Sequence, residues 1–253
     1  MQEKNNTETM RLDKFLGATG CCSRTDAKKI IRSGGVAVNG RAVRNPEEKI
    51  CPETDEVFFA GKRIQYRKYT YIMLNKPEGY VSATEDGREK TVLDLLPDDM
   101  NKSKLFPCGR LDKNTLGLML ITDNGELSHR LLAPASHVSK SYGFKSKKEV
   151  TPAEAEKFEK GLTLEDGYVT KPARIELYDG KMSGTVYLVE GKYHQIKRMF
   201  EAMDNKIVYL ERLTFGPLTL DTELERGQWR YLTDEEIRLL SEAGEKKNAN
   251  NPI

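Results

Sequence analysis

Apolar positions come in short, well-separated patterns. Leu12, Phe15 and Leu16 fall at i, i+3 and i+4, the stripe of a short helix. Ser23 opens a Ser-x-x-Asp pattern with Asp26, a helix-start signature, and Ala27, Ile30 and Ile31 give the helix that follows a buried face. Gly34-Gly35 ends it, and residues 36–43, with Asn39-Gly40 at the centre, predict a hairpin on a type I′ turn. Further on, residues 70–74 and 117–122 read as strands. Asn75-Lys-Pro-Glu-Gly79 and Asp123-Asn-Gly125 read as turns. Thr151-Pro152-Ala-Glu154 starts a helix that continues to residue 160, residues 184–190 alternate as a strand, and residues 195–203 predict a helix. Thr233-Asp-Glu-Glu236 opens a terminal helix. Strands and helices mix without regular βαβ alternation, so the expected class is α+β.

These patterns divide the 253 residues into parts. Residues 1–9 and 243–253 are polar and aperiodic and are expected to fray. Residues 10–60 make a small module, residues 61–68 a basic linker, and residues 69–242 the body. Charge sharpens this division. Residues 1–68 carry 14 Lys and Arg against 9 Asp and Glu, whereas the remainder carries 27 against 30. A basic head on a nearly neutral body suggests a polyanion-binding module, with Arg24, Lys28, Lys29 and Arg32 largely on the outer faces of its second helix. The bland alternative is a merely solvated helix face. Four cysteines without CxxC spacing are read as reduced thiols. With no secretory signal and no apolar run of membrane-spanning length, the expectation is a cytoplasmic protein with no membrane association and, by default, a monomer.

The familiar enzyme signatures are missing. There is no GxGxxG, Walker A, GxSxG or HExxH motif, and His129, His137 and His194 are scattered, so neither cofactor nor metal is expected. What stands out is Gly109-Arg-Leu-Asp-Lys-Asn-Thr-Leu-Gly117, an aspartate between two glycines just before a strand. By itself it fits an Asx turn from Asp112 toward Thr115 as well as it fits catalysis. The second stretch, Lys192-Tyr-His-Gln-Ile-Lys-Arg198, interleaves cations with polar aromatics, which suits RNA but suits a solvated helix start equally.

The combination separates these alternatives. Arg11-Leu-Asp-Lys-Phe-Leu16, Ser23-Arg-Thr-Asp-Ala27 and the run from Ile30 to Gly40 resemble the S4 RNA-binding domain. Leu74-Asn-Lys-Pro-Glu-Gly79, the Asp112 loop, Lys140-Ser-Tyr142 and His194-Gln-Ile-Lys-Arg-Met199 occur in the order found in pseudouridine synthases. The runs 210–218 and 227–233 belong to the same pattern, and with the S4 module the whole resembles the RsuA branch of that family. The Tyr-His-Gln-Ile-Lys-Arg form is similar to small-subunit enzymes, whereas large-subunit relatives more often carry Arg-Gln-x-Arg-Arg. Asn205 departs from the pattern, standing where relatives often have Gly.

The resemblance implies an S4 domain followed by a catalytic domain with a mixed, largely antiparallel sheet flanked by helices. It implies isomerisation of one uridine in small-subunit ribosomal RNA, within an assembling particle. Asp112 would be the essential carboxylate, as nucleophile or base. Tyr142 would stack on the base and serve as proton acceptor, and Lys197 would pair with Asp112. Arg110, His194, Gln195 and Arg198 would contact the RNA, and Arg11, Lys14, Arg24, Lys28 and Arg32 its phosphates. Asn75-Lys76-Pro77 looks more architectural than chemical. Two rivals remain at this point, the same chemistry on large-subunit RNA and a non-catalytic assembly factor that keeps the fold.

Overall fold

A computed structural model describes residues 9–19, 21–64, 66, 68–98 and 100–245. The chain divides into two compact units, Met1–Lys68 and Tyr69–Ile253.

In the first unit, strand β1 (Met10–Arg11) leads into α1 (Leu12–Ala18), and α2 (Arg24–Arg32) follows. The expected stripe is the buried one, for Leu12, Phe15, Leu16, Ala27 and Ile31 form the core of this unit with Val36, Val38, Val43, Ile50 and Val57. Ser23 caps α2, its side chain accepting from the Asp26 amide. Strands β2 (Val36–Val38) and β3 (Arg41–Val43) form the expected hairpin, and both turn residues, Asn39 and Gly40, have positive φ. Strand β4 (Lys49–Ile50) pairs with β1, and β5 (Val57–Phe59) pairs with β2. Residues expected to be linker do more than connect: Lys62–Ile64 are strand β6, hydrogen-bonded to β5. The basic composition concealed a short edge strand, whose outward lysine and arginine suit an edge. Residues 65 and 67 of that expected linker, and the expected frayed segments 1–8 and 246–253, lie outside the described residues.

The second unit is built on a nine-stranded sheet. Its elements are β7 (Tyr71–Lys76), β8 (Phe106–Pro107), β9 (Leu116–Thr122), α3 (Gly125–Leu132), β10 (Lys140–Ser146), α4 (Pro152–Lys160), β11 (Arg174–Leu177), β12 (Ser183–Leu188), α5 (Gln195–Glu201), β13 (Ile207–Phe215), β14 (Leu218–Thr219), β15 (Trp229–Tyr231) and α6 (Asp234–Glu245). The strand order is β11-β12-β10-β13-β9-β7-β15, with β14 added to β13 and β8 to β9. Every pairing is antiparallel except β13 with β9, as expected for a mixed, largely antiparallel sheet.

The two-residue period of the strands feeds two cores. Ile72, Leu74, Met119 and Ile121 face one side, where they meet Phe158 of α4 and Met199 and Phe200 of α5. Tyr71, Met73, Leu118 and Leu120 face the other, against Leu127 and Leu131 of α3 and Leu240 of α6. With both faces covered, β7 is buried along its whole length. Three readings are corrected. The strand runs through Asn75 and Lys76 before turning. Asp123-Asn-Gly125 is a helix start as well as a turn: the Asn124 side chain accepts from the Leu127 amide at 3.0 Å and caps α3. The last helix extends to Glu245, so residues 243–245 belong to it, Gly244 being buried against Leu127 and Arg130.

Candidate active site

The loop between β8 and β9 is pinned from three sides. Gly109 and Gly117 both take positive φ. Within the loop, the Thr115 amide donates to the Asp112 main-chain carbonyl at 3.0 Å, so the turn here is a backbone turn and not the Asx turn expected of the Asp112 side chain. The Ser82 hydroxyl donates to the Leu111 carbonyl (2.8 Å) and accepts from the Leu111 amide (2.9 Å). Beneath the loop lies Lys76, fully buried at the end of β7. Its ammonium donates to the carbonyls of Pro77 (3.0 Å), Lys113 (3.1 Å) and Thr115 (2.9 Å). Three carbonyls satisfy all three ammonium protons, which is how a cation tolerates this depth. Burial nevertheless lowers Lys76 from 10.5 to about 8, against the opposing pull of Asp112 and Glu78. The architectural reading of Asn75-Lys76-Pro77 therefore has a concrete form, a cationic clamp under the aspartate loop.

So held, the Asp112 carboxylate sits between two groups from the start of α5. Lys197 Nζ lies 2.6 Å from Oδ2, and His194 Nε2 lies 3.4 Å from Oδ1. Neither partner is near Asp112 in sequence. His194 reaches it by adopting a left-handed backbone (φ 48°) and stacks on Tyr193, ring centroids 3.8 Å apart. A non-glycine residue with positive φ costs about 1 kcal/mol or more, and such strain gathers at functional sites.

Asp112 opens into a cleft of about 820 Å³. Tyr142 of β10 forms part of its wall, with Arg110, His194, Lys192 and Arg212. Arg110 is exposed at this cleft. Tyr142 is buried, and its register partner on β13 is Arg212. The structure thus assembles Asp112, Tyr142, Lys197, His194 and Arg110 in one place.

Two residues expected to contact RNA are held by protein groups. Gln195 is buried. Its side chain accepts from the Lys192 amide (2.9 Å) and donates to Glu190 (2.6 Å), so it shapes the loop before α5. Glu190 in turn accepts from the Tyr168 hydroxyl at 2.7 Å and the Lys171 amide at 3.0 Å. Arg198 turns away to Asp166, 2.6 Å distant, and holds that carboxyl below the usual carboxylate range. The sequence placed both in a cationic run, but a run of residues does not disclose the partners, Glu190 and Asp166, that the fold brings to them. Ser82 and Glu190 were missed as site-builders, because Leu111, Tyr168 and Lys171, which they bind, are remote in sequence. At Asn205 the left-handed residue is its neighbour Asp204, while the Asn205 side chain accepts from the Lys148 amide and donates to the Lys148 carbonyl, each at 3.0 Å.

In the first unit, Arg11, Lys28 and Arg32 line a groove of about 540 Å³ together with Arg44 and Glu47. Arg44, absent from the sequence-based set, arrives there because the hairpin returns the chain to α2. Lys14 and Arg24 are exposed elsewhere. Arg24 lies 3.4 Å from the buried Asp13, which also binds Arg11 through two contacts of 3.0 Å. Burial pushes Asp13 up, but the two guanidinium groups outweigh it and hold the carboxyl below its ordinary value.

Comparison with known proteins agrees with this geometry. Residues 70–202 match the RNA pseudouridylate synthase family and residues 10–57 the S4 domain. The chain is 42% identical over 229 residues to the ribosomal small subunit pseudouridine synthase A of Escherichia coli, covering 90% of this chain and 98% of the relative. It is 43% identical over 236 residues to an RNA pseudouridine synthase of Bacillus subtilis, covering 92% of this chain and 99% of that one. A pseudouridylate synthase crystal structure superposes with a TM-score of 0.65 at 36% identity, over 91% of this chain and 99% of the other. An S4 domain followed by this sheet, with a loop aspartate paired to a helix lysine, marks the chain as a member of the RNA pseudouridylate synthase family.

Proposed function

We propose that this enzyme isomerises one uridine of small-subunit ribosomal RNA, with Asp112 as its essential carboxylate and Tyr142 and Lys197 as partners. The observation that carries the reading is the 2.6 Å pairing of Lys197 with Asp112 at the edge of a cleft wide enough for a nucleotide. In the reaction the N1–C1′ bond breaks, the uracil turns, and C5 joins C1′. The C5 hydrogen leaves as a proton, and N1 gains one. Atoms and electrons balance without an oxidant or energy source, so no cofactor is called for. Whether the carboxylate adds to the ribose or removes a proton from it, it must be held in place, and the Lys76 clamp and the Lys197 pair meet that demand.

Tyr142 is suited to stack on the turned base and take up the C5 proton, while Arg110 at the cleft contacts the RNA around the vacated position. Arg11, Lys28 and Arg32, and more peripherally Lys14 and Arg24, engage phosphates. His194 serves Asp112 rather than the RNA backbone. The substrate assignment rests on the similarity to the E. coli small-subunit enzyme. On this reading the protein works in the cytoplasm, as a monomer, on RNA within an assembling particle during ribosome biogenesis. No described helix is long and apolar enough to cross a membrane.

The test is a pseudouridine map of small- and large-subunit ribosomal RNA, naked and with ribosomal proteins, treated with wild type and with Asp112→Ala. A single new site in small-subunit RNA, absent with the variant, is expected. A large-subunit site would move the substrate, and no site in either would favour a binding factor without chemistry.

A further inference from the structure

The cleft contains cations that the chemistry at Asp112 does not use. Arg212 is only 1% exposed, yet among the described residues no carboxylate lies within 4 Å of it. Its Nε donates to the Leu118 carbonyl at 2.7 Å, and one terminal nitrogen touches the Met119 sulfur at 3.9 Å. The guanidinium packs over the Phe215 ring, 5.2 Å from its centroid, and lines the cleft. Lys140 approaches the same ring, 5.6 Å from the centroid, and lines the same cleft, its ammonium donating to the Val138 carbonyl at 2.9 Å. No described acid pairs with Lys140 either. The nearby carboxylates are committed: Asp112 to Lys197 and His194, Glu190 to Tyr168, Lys171 and Gln195, and Glu211 to Arg226.

Two like charges beside one ring, partly or wholly withdrawn from water, disfavour the empty cleft. The strain is visible at Lys140, which burial and Arg212 together lower from 10.5 to about 8. An anion between the two cations removes that penalty. Uracil carbonyls are neutral acceptors and need one donor each, whereas a phosphodiester matches a guanidinium fork and an ammonium. Tyr142 lies on the same strand as Lys140, two residues on, and opposite Arg212 in register, so the pair borders the place proposed for the turned uracil.

We infer that Arg212 and Lys140 form a phosphate subsite that grips the backbone phosphate of the flipped uridine. The subsite deepens the functional reading and depends on it for the identity of the nucleotide. It makes Arg212 and Lys140 positioning residues for the reaction. Its role is to fix the ribose at Asp112 while the severed base turns.

Binding of uridine, uridine 5′-monophosphate and uridine 3′-monophosphate to the full-length protein tests this by NMR titration. One monophosphate should bind at least tenfold more tightly than uridine, with an advantage that shrinks as salt rises. In Lys140→Met, a change at a half-buried strand end, that advantage should fall below threefold while uridine binding is unchanged, and Lys140→Arg should restore it. Inorganic phosphate should compete with the monophosphate and not with uridine. Monophosphates no tighter than uridine, an advantage surviving in Lys140→Met, or no measurable binding of any of the three would overturn the subsite. Pseudouridine formation on ribosomal RNA by the same wild-type preparation tests the functional reading separately, so either can fail alone.

Discussion

A Cβ placed on Gly117 would overlap the Arg212 carbonyl oxygen and stand 2.9 Å from the Arg212 nitrogen, so β9 can run parallel beside β13 only because residue 117 has no side chain. Gly117 also holds φ at 95°, a region that L side chains rarely adopt. It is the second residue of β9, just past the aspartate loop, and the next residue carries the Leu118 carbonyl that receives Arg212.

Gly117→Ala should therefore cost about 3 kcal/mol or more, since the obstacle is backbone that cannot step aside. The expected readout is a thermal midpoint lower by roughly 6–12 °C for a domain of this size, with activity lost at temperatures where the variant remains folded. A midpoint unchanged within 2 °C would show that the strands can separate freely.

Asp112→Asn should abolish pseudouridine formation while leaving RNA affinity within about threefold, because the carboxylate is proposed to act on the ribose. Lys197→Met should lower kcat by roughly 10²-fold or more, and Lys197→Arg should recover part of the loss by keeping a cation near Oδ2. Single-turnover kinetics alongside binding assays separate the two effects. Equal losses in KM and none in kcat for Lys197→Met would reassign it to RNA binding.

Lys76 predicts opposite pH responses for activity and stability. With a folded value of about 8 against 10.5, the unfolded chain binds more protons between those limits. Stability contributed by this site therefore rises with pH across that window, by at most roughly 3 kcal/mol. Over the same range the ammonium that ties Pro77, Lys113 and Thr115 becomes neutral and the aspartate loop loosens, so kcat should fall above about pH 8. Lys76→Met should have a lower kcat and lack that alkaline limb. Charged neighbours are Asp112, Glu78, Lys197 and Arg212, so the comparison is wild type against variant across pH 7–10. A wild-type limb that persists in the variant points to another group.

The groove of the first unit should govern the salt dependence of RNA binding. Replacing Lys28 or Arg32 by Ala should each reduce the slope of log affinity against log salt by about 0.7–0.9 if each neutralises one phosphate. The exposed Lys29, outside the groove, serves as control and should leave the slope unchanged. Slopes altered equally by all three would mean a diffuse field instead of a site.

Local patterns carried far in this chain. The Ser23 cap, the Asn39-Gly40 hairpin and the Thr151–Glu154 capping box are interactions within three or four residues, and each was legible because the groups that form it adjoin in sequence. Motif order was enough to bring Asp112, Tyr142 and Lys197 together as a resemblance. Where the reading of Lys62–Ile64 and of the last helix fell short, composition masked a pairing or a burial that depends on packing elsewhere. The Asn124 cap is as local as that of Ser23 and was overlooked because Asp123-Asn-Gly125 also spells a turn.

By itself the sequence determined the element types, the two-part layout and the aspartate loop, since these follow from side-chain period, turn chemistry and short-range hydrogen bonds. Only the tertiary structure decided what surrounds Asp112. Lys76 is 36 positions away and Lys197 is 85, and neither the carbonyl clamp nor the ion pair has any trace in a local pattern. The same holds for Gln195 and Arg198, three positions apart in one motif, whose side chains meet Glu190 and Asp166. Direction in space is set by the sheet order and by the left-handed backbone at His194. Arg212 and Lys140 meet over Phe215 for that reason alone: β10 and β13 are neighbours in the sheet although more than sixty residues separate them in the chain.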